Sequence, residues 1–346
     1  MPTVGVEEEF LLVDPGSGAP VAKNADVAHA ATRRGIELQR ELTSCQVETT
    51  TKPMTGRTEL RDELRRLRAG VAQAAGECGA QLLAVGLPPS TPHEFPITDT
   101  PRYHRIAEQY GMIAHEQGIC GCHVHVEVAE PDIAVLVCNR LRPWLPGLLA
   151  LVANSAIYRN ADSGYASWRS MLWGRWPTAG PPPRLESIAE YRATLALLKA
   201  MGVLLDDGMV YWYARPSAKF PTVEIRIADV PATTAETVLL AVLARALVIT
   251  SLGEIRSGAA EPAISEPVLR ARYWLAARDG LHAPVLAELV DHIAPALHHT
   301  DELAYASAEL DRIRRCGNGA ERQRRAWARR GEVVDVLAEA TAATLE

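Results

Sequence analysis

Residues 119–128 constrain the fold of this chain more than any other stretch, and they read Ile-Cys-Gly-Cys-His-Val-His-Val-Glu-Val. Side chains alternate between the two faces of a β-strand, so the cysteines and valines fall together on one apolar face. The opposite face carries Gly121, His123, His125 and Glu127. Two imidazoles and a carboxylate backed by an unbroken apolar face predict a functional site on a sheet. The alternative is a pair of histidines on a solvated face.

The start of the chain predicts another strand that carries acidic residues. Within residues 3–13, Glu7 and Glu9 share one face, and Glu8 shares the other with apolar side chains. A buried carboxylate is unfavourable unless it is paired or binds a metal. We therefore expect Glu7 and Glu9 to be metal ligands and Glu8 to pair with an arginine.

Two further segments bring charged residues into a strand context. One is a predicted strand or strand pair with Glu41 and Glu48, and the other is a predicted strand over 221–230 with Glu224 and Arg226 on one face. Carboxylates together with an imidazole suit Mg²⁺ or Mn²⁺. Several acids around such ions, with arginines nearby, fit phosphoryl transfer. Strands that each present these groups on one face predict a common site.

The rest of the sequence predicts mostly helices. Apolar residues recur at helical spacing over 58–79, 101–117, 131–160 (as a broken helix pair), 234–252 and much of the segment beyond 260. A polar, aromatic loop over 158–176 is interpreted as a substrate-contacting segment; the alternative is a surface loop whose tryptophans pack into the core. No P-loop, dinucleotide-binding or nucleophile-elbow motif is found.

Composition excludes several classes of protein. Hydrophobic residues make up 48% and charged residues 23% of the 346 residues, which is typical of a soluble globular protein. The net charge of −6 argues against nucleic acid as a partner. We expect no membrane span, since no run approaches the roughly 18 apolar residues required, and no signal peptide, which predicts a cytoplasmic protein. Six cysteines without a Cys-x-x-Cys pair are interpreted as reduced structural thiols.

Three motifs together resemble the type-2 glutamate–cysteine ligase family, and most closely its bacterial carboxylate–amine ligases. The motifs are Gly5-Val6-Glu7-Glu8-Glu9, Gly121-Cys122-His123-Val124-His125 and Thr222-Val223-Glu224-Ile225-Arg226. Arg215-Pro216-Ser217, Asp229-Val230-Pro231 and Ala166-Ser167-Trp168-Arg169 also look like family patterns. The resemblance runs from about residue 3 to residue 231, with the motifs in the family's order.

The resemblance implies an α+β, glutamine synthetase-like fold, in which a curved antiparallel sheet surrounds the active site and helices pack behind it. It implies one catalytic domain over 1–346, β-rich to about 231 and helical over 232–346. The implied activity is an ATP-dependent carboxylate–amine ligase that forms an amide through an acyl phosphate and releases ADP and phosphate. The implied cofactors are ATP and two or three Mg²⁺ or Mn²⁺ ions. The implied partners are a small-molecule carboxylate, such as glutamate, and an amine, such as cysteine, in a homo-oligomer (a dimer or larger). The alternatives are a metal-dependent amide or isopeptide hydrolase on the same scaffold and a non-catalytic binding protein.

Carried onto this sequence, the resemblance also implies roles for individual residues. His125 contacts the ATP phosphates, Arg226 stabilises the transferred phosphoryl group, and Arg215 binds phosphate or the acyl phosphate. Glu41 falls where the family has an acid that serves a third ion or the incoming amine, and Arg169 is expected to bind the carboxylate of the acid substrate. The implied metal ligands are Glu7, Glu9, Glu48, His123 and Glu224.

Two positions depart from the family pattern. Glu127 stands where the family commonly has a small residue, and on the active face it is expected to restrict or reshape the nucleotide pocket. The segment 44–47 also differs from the sequences usual before the metal-binding glutamate, which leaves the acceptor substrate open.

Overall fold

A computed structural model describes residues 1–116 and 118–346. The strands are β1 (Val4–Val13), β2 (Gln39–Arg40), β3 (Gln46–Thr50), β4 (Gln81–Leu83), β5 (Gly121–Glu127), β6 (Ile157–Tyr158), β7 (Ala161–Asp162), β8 (Ala214–Pro216) and β9 (Thr222–Asp229). The helices are α1 (Asn24–Thr32), α2 (Arg57–Glu77), α3 (Pro101–Tyr110), α4 (Met112–His115), α5 (Pro131–Leu141), α6 (Leu145–Val152), α7 (Trp168–Trp173), α8 (Ile188–Ala200), α9 (Thr234–Ser257), α10 (Glu266–Asp279), α11 (Val285–His299), α12 (Leu303–Cys316), α13 (Gly319–Arg330) and α14 (Val333–Thr344).

The main sheet is antiparallel and open. Its strands follow the order β2-β3-β1-β5-β9-β8, and β4 pairs with the end of β1 on the side opposite β3. The register sets Glu9 opposite Glu48, Glu7 opposite His123, and His125 opposite Glu224. The α+β class predicted from the sequence is therefore confirmed, and the register itself brings the predicted site residues together.

The apolar face of the sheet packs on helices. Val124 and Val126 of β5 join Val6 of β1 in a buried cluster with residues of α2, α6 and α9. On the same face of β1, Glu8 is fully buried and pairs with Arg68 of α2. The predicted separation of Glu8 from its two neighbours is confirmed, and so is its pairing with an arginine.

Helix α9 corrects one expectation. It contains an 18-residue window of mean hydropathy 2.0, so by length and composition it could cross a membrane, although the sequence was expected to hold no such run. A single charged residue at Arg245 interrupts an otherwise apolar stretch, which is why counting unbroken runs misses it. Within this window, 67% of the helix is buried inside the protein, as is usual for a core helix.

The predicted helix over 101–117 is broken. Helix α3 ends where Gly111 adopts a φ of 54°, in the region that favours glycine, and α4 follows it. Gln117, the predicted last residue of this helix, lies outside the described residues. The predicted break in the 131–160 helix pair is confirmed, since α5 and α6 meet at an angle of 67°.

Candidate active site

The polar face of the sheet lines a cavity of about 620 Å³. Strands β1, β3, β5 and β9 each contribute side chains through the alternation that was predicted from sequence. Residues of α3 and residues before β8 also line the cavity. Of the predicted site residues, those that line it are Glu7, Glu9, Glu41, Glu48, His123, His125, Arg215, Glu224 and Arg226.

Two groups of side chains in this cavity have the donors for a metal ion. Glu7, His123 and Glu224 form one group, and Glu9, Glu48 and His123 form the other. Within each group, one donor atom per residue lies within 4.8 Å of the others. Carboxylate oxygens with a single imidazole are a donor set that Mg²⁺ and Mn²⁺ accept. The residues therefore fit divalent cations, and His123 is common to both groups.

The acidic side chains repel one another in a way that a cation would relieve. Burial raises the pKa of Glu48 well above its ordinary value, and the charges of Glu41, Glu7 and Glu9 add to the rise. Burial and the nearby Glu9 carboxylate likewise raise the pKa of Glu41 to about 8. Closely spaced carboxylates with raised pKa values are typical of a site that holds positive charge.

Glu7 is held ionised by its neighbours across the strand pair. Burial alone would raise the pKa of its carboxyl group, but hydrogen bonds from His123 and His125 lower it far below the ordinary range. Glu7 Oε2 lies 3.0 Å from His123 Nδ1, and Glu7 Oε1 lies 3.3 Å from His125 Nε2. The pKa of His123 is lowered by burial and by the Arg226 charge, which favours the neutral imidazole that a metal requires.

Glu224 binds two arginines. Arg215 Nε donates to Glu224 Oε2 at 2.8 Å, and Arg226 Nη1 contacts Glu224 Oε1. Arg215 also donates to the backbone carbonyls of Asp207, Gly208 and Val210. Although burial opposes ionisation of Glu224, the guanidinium groups of Arg226 and Arg215 hold its pKa well below the usual range. Two buried guanidinium groups are thus fixed beside the metal-competent carboxylates.

His125 lies at one end of this arrangement. Its Nδ1 is 3.0 Å from Thr222 Oγ1, and its ring meets the edge of Phe220 at a centroid distance of 6.0 Å. Phe220 belongs to the exposed hairpin loop between β8 and β9, and residues 217–220 of that loop line the cavity mouth. His125 therefore faces an open, partly apolar entrance.

The structure does not place Glu127 in the cavity lining. Glu127 is exposed at the far end of β5, where its Oε2 accepts hydrogen bonds from the Thr3 backbone and hydroxyl, both at 3.0 Å. It shares a face with the histidines, as predicted, but the strand carries it beyond the cavity mouth. Its place outside the lining gives no support to the predicted effect of Glu127 on the nucleotide pocket.

Arg169 is also outside the lining. It is 2% exposed and lies 3.7 Å from Asp229, with its guanidinium packed on the Trp173 ring at 5.6 Å. A side chain at Gly121 would approach Arg169 Nη2 to 2.4 Å, so this guanidinium occupies the space that Gly121 leaves. Arg169 is on the site's face of the sheet, and Trp173, which does line the cavity, packs on its guanidinium.

Several lining residues were not predicted. Arg102 of α3 and Asp206 form a bidentate ion pair, with Arg102 Nε 2.7 Å from Asp206 Oδ2, and Tyr103 and Tyr211 lie beside it. The turn signal Asp206-Asp207-Gly208 was the one local sign that a chain reversal falls here. The loop over 158–176 reaches the cavity through Trp173 and Trp176 only, while Trp176 is also 3% exposed. The burial of Trp176 agrees with the packing alternative, and the contact of this segment with substrate stays a prediction.

Comparison with known proteins finds close relatives of this chain. A relative from Mycobacterium sp. (strain KMS), named "Putative glutamate--cysteine ligase 2-2", is 58% identical over 99% of each chain. A relative from Mycolicibacterium smegmatis, named "Putative glutamate--cysteine ligase 2-3", is 56% identical over 99% of this chain and 98% of its own.

Solved structures share the fold at low sequence identity. Glutamate–cysteine ligase from Francisella tularensis in complex with AMP gives a TM-score of 0.70 at 14% identity, covering 99% of this chain and 88% of that one. A bifunctional glutathione synthetase from Pasteurella multocida gives a TM-score of 0.72 at 14% identity, covering 99% of this chain. This chain spans 52% of that protein's length.

The fold and the family evidence together define an ATP-dependent ligase. The chain belongs to glutamate–cysteine ligase family 2, whose family model matches residues 3–339. The resemblance seen in the sequence motifs is thereby confirmed. Membership implies ATP, a divalent metal and small-molecule substrates, and none of these comparisons supports the hydrolase alternative.

Proposed function

We propose that this protein is a carboxylate–amine ligase that forms an amide through an acyl phosphate. The observation that carries the proposal is the pair of metal-competent groups that share His123, set directly beside Arg215 and Arg226. Clustered carboxylates and fixed guanidinium groups are the machinery of phosphoryl transfer, which requires charge neutralisation more than covalent chemistry. The acid is glutamate, reacting through its γ-carboxyl group, and the acceptor is an amine.

Two displacements complete the proposed reaction. A carboxylate oxygen of the acid attacks the γ-phosphorus of ATP, and the bond to ADP breaks. The amine nitrogen then attacks the acyl carbon, the bond to phosphate breaks, and the nitrogen loses a proton. Divalent ions held by Glu7, Glu9, Glu48, His123 and Glu224 would offset phosphate charge in both steps.

The remaining residues act on charge and position in this proposal. Arg226 offsets the charge that develops on the transferred phosphoryl group, and its contact with Glu224 fixes the guanidinium before substrate arrives. Arg215, tied to Glu224 and three carbonyls, holds that carboxylate in place and supplies a second positive charge. His125 donates to the ATP phosphates at the open end. Glu41 receives the proton of the amine.

A screen for ADP release tests the proposal. Purified protein, ATP and Mg²⁺ or Mn²⁺ are incubated with pools of amino acids, other carboxylic acids and amines, and the products are followed by mass spectrometry. We expect ADP only with a particular acid–amine pair, together with a product whose mass is the sum of the pair less water. Cleavage of amides without formation of ADP in the same assay would contradict the proposal. We also propose that the chain is one catalytic domain and that it forms a homo-oligomer. Size-exclusion chromatography tests the oligomer.

A further inference from the structure

The hairpin loop between β8 and β9, residues 217–221, is held as a turn by its first side chain. Ser217 Oγ accepts hydrogen bonds from the backbone N–H groups of Lys219, at 3.4 Å, and Phe220, at 3.3 Å. The backbone N–H of Ser217 donates to the carbonyl of Thr222 across the hairpin at 2.9 Å. A serine that accepts from the N–H groups after it favours a turn. The loop therefore presents Lys219 and Phe220 at the cavity mouth in a defined backbone conformation.

Phe220 is the exposed aromatic residue of the cavity lining. Its side chain is 54% exposed, whereas the other large apolar and aromatic residues among the described lining are buried or half-buried. The Phe220 and His125 rings stand at 86° to each other, with their centroids 6.0 Å apart. A perpendicular contact with one small ring leaves much of the phenyl surface uncovered. That surface is available to a flat, apolar part of a ligand.

Lys219 differs from the other permanent cations of the lining in having no carboxylate partner. The three arginines that line the cavity each form an ion pair: Arg102 with Asp206, and both Arg215 and Arg226 with Glu224. Lys219 forms no salt bridge with any carboxylate in the described part of the chain. The ammonium group at the mouth is therefore available to an anion that enters from solvent.

His125 connects this loop to the metal-competent groups. Its ring contacts Phe220, and its Nε2 lies 3.3 Å from Glu7 Oε1. Glu7 belongs to the metal-competent group that also contains His123 and Glu224. Phosphates bound to an ion in that group would lie next to His125, which puts the loop within reach of the rest of a nucleotide.

We propose that Phe220 is the surface on which the base of ATP stacks, and that Lys219 binds the phosphates of the same molecule. This inference rests on the proposed function, which sets the ATP phosphates at His125. A purine is flat and covers the exposed phenyl surface, and stacking of a base on an aromatic side chain is favourable. The Lys219 ammonium group supplies an unpaired positive charge for the polyphosphate. The two neighbouring side chains thus recognise the two ends of one nucleotide.

A pair of ligands separates the base contact from the phosphate contact. Adenylyl imidodiphosphate, an ATP analogue that is not hydrolysed, carries a base and a polyphosphate, whereas inorganic tripolyphosphate carries the phosphates alone. Binding of each ligand to the full chain is measured by isothermal titration calorimetry with Mg²⁺. We expect Phe220→Ala to weaken the analogue at least about fivefold, as loss of base stacking does, and to change tripolyphosphate by less than about twofold. Lys219→Gln should weaken both ligands by a similar factor, about two- to fivefold at low salt.

Further variants separate stacking from a structural effect of the loop. Phe220→Tyr keeps the aromatic face and should bind the analogue as the unaltered protein does, whereas Phe220→Leu keeps an apolar side chain without that face and should lose most of the gain. Lys52→Gln and Leu197→Ala are the matched controls, because both residues are exposed and lie outside the cavity lining. Both controls should bind the two ligands unchanged. Since Phe220 is exposed, its replacement leaves the core intact.

The outcomes distinguish this inference from the proposed function. Equal weakening of the two ligands in Phe220→Ala, or no weakening of the analogue, would overturn the base contact, and tripolyphosphate binding unaffected by Lys219→Gln would overturn the phosphate contact. ADP release from an acid–amine pair with an unchanged KM for ATP in Phe220→Ala would leave the ligase in place and reject the stacking surface. Analogue binding that depends on Phe220, with no ADP from any acid–amine pair, would support the stacking surface and reject the ligase.

Discussion

Glu7 and His123 are register partners on neighbouring antiparallel strands, and Glu7 Oε2 lies 3.0 Å from His123 Nδ1. The other ring nitrogen of His123 points towards Glu9, with Nε2 3.9 Å from Glu9 Oε1. One imidazole is thus placed between two sets of carboxylates by the strand register alone. This position makes His123 the residue on which both metal-competent groups depend.

The shared position predicts the stoichiometry of metal binding. We expect the protein to bind two Mn²⁺ ions, Glu224→Gln and Glu48→Gln each to weaken one of them, and His123→Ala to weaken both. The loss in affinity should be at least about tenfold, since even residues that only orient a metal ligand cost that much. Isothermal titration with Mn²⁺ measures it, with Glu127→Gln as the matched surface control. Two unchanged sites in His123→Ala would reject the assignment.

Glu224 should matter for turnover as well as for metal. Glu224→Gln removes the charge that orients both Arg215 and Arg226, so we expect kcat to fall at least about 100-fold. The measurement is ADP release with the acid–amine pair found by the screen, together with circular dichroism to establish that the variant is folded. Turnover equal to that of Glu127→Gln would contradict the assignment of Glu224 to the active site.

Metal binding should fall on the acid side of the pH range. The pKa of His123 is lowered by burial and by Arg226, so its imidazole is neutral above pH 6.5 and protonates only below that ordinary value. A protonated imidazole cannot ligate a metal. In the metal-free protein, His123 has a lower pKa in the native state than in the unfolded chain, so between these two pKa values the native state binds fewer protons. The contribution of His123 to the free energy of unfolding therefore rises with pH over this range. We expect Mn²⁺ affinity and rate to be sustained from pH 7 to 8 and to decline below about pH 6.5. A flat rate from pH 5 to 8 would count against His123 as a ligand.

Much of this site follows from the two-residue period of strands. That period separates Glu7 and Glu9 from Glu8, and places His123 on the same face as His125, without any knowledge of which strands are neighbours. It gives the face of a residue but not its distance from the site. Glu127 obeys the alternation and still lies outside the cavity, because β5 extends beyond the mouth to Thr3.

Contacts between distant segments could not be predicted. Arg102 and Asp206 are separated by 104 residues, and no local pattern relates α3 to the turn before β8. The same is true of Arg169: the motif that carries it resembles a family pattern, but only tertiary packing places its guanidinium against the Trp173 ring and outside the cavity lining. Propensity and periodicity describe one segment at a time, whereas these relationships depend on tertiary structure.

The buried pair of Glu8 and Arg68 should contribute strongly to stability. Arg68 Nη2 donates to Glu8 Oε1 at 2.6 Å, and both side chains are at most 1% exposed. Breaking a buried pair leaves an uncompensated charge, so we expect Glu8→Gln to lower the free energy of unfolding by about 3–5 kcal/mol. Urea denaturation followed by circular dichroism measures it. Glu63→Gln, which removes a surface pair with Arg66 on the same helix, should cost less than about 1 kcal/mol. Equal losses in the two variants would contradict this explanation.

Arg169 offers a direct choice between structural support and substrate binding. Its guanidinium lies 3.7 Å from Asp229, whose carboxylate also accepts hydrogen bonds from the Asn154 backbone and the hydroxyls of Ser155 and Ser167. Burial raises the pKa of Asp229, and the Arg169 charge opposes that rise.

Removal of the Arg169 charge should therefore lower the free energy of unfolding by an amount that depends on pH. We expect Arg169→Met to lower the free energy of unfolding by about 3 kcal/mol near pH 7. Because a raised folded pKa makes the ionised Asp229 unfavourable as pH increases, the difference from the unaltered protein should shrink as pH falls towards 5. Denaturant unfolding at the two pH values measures this, and Arg169→Lys should recover part of the loss. An increase of more than about tenfold in KM for the acid, with stability unchanged, would instead establish the substrate contact that the family resemblance implies.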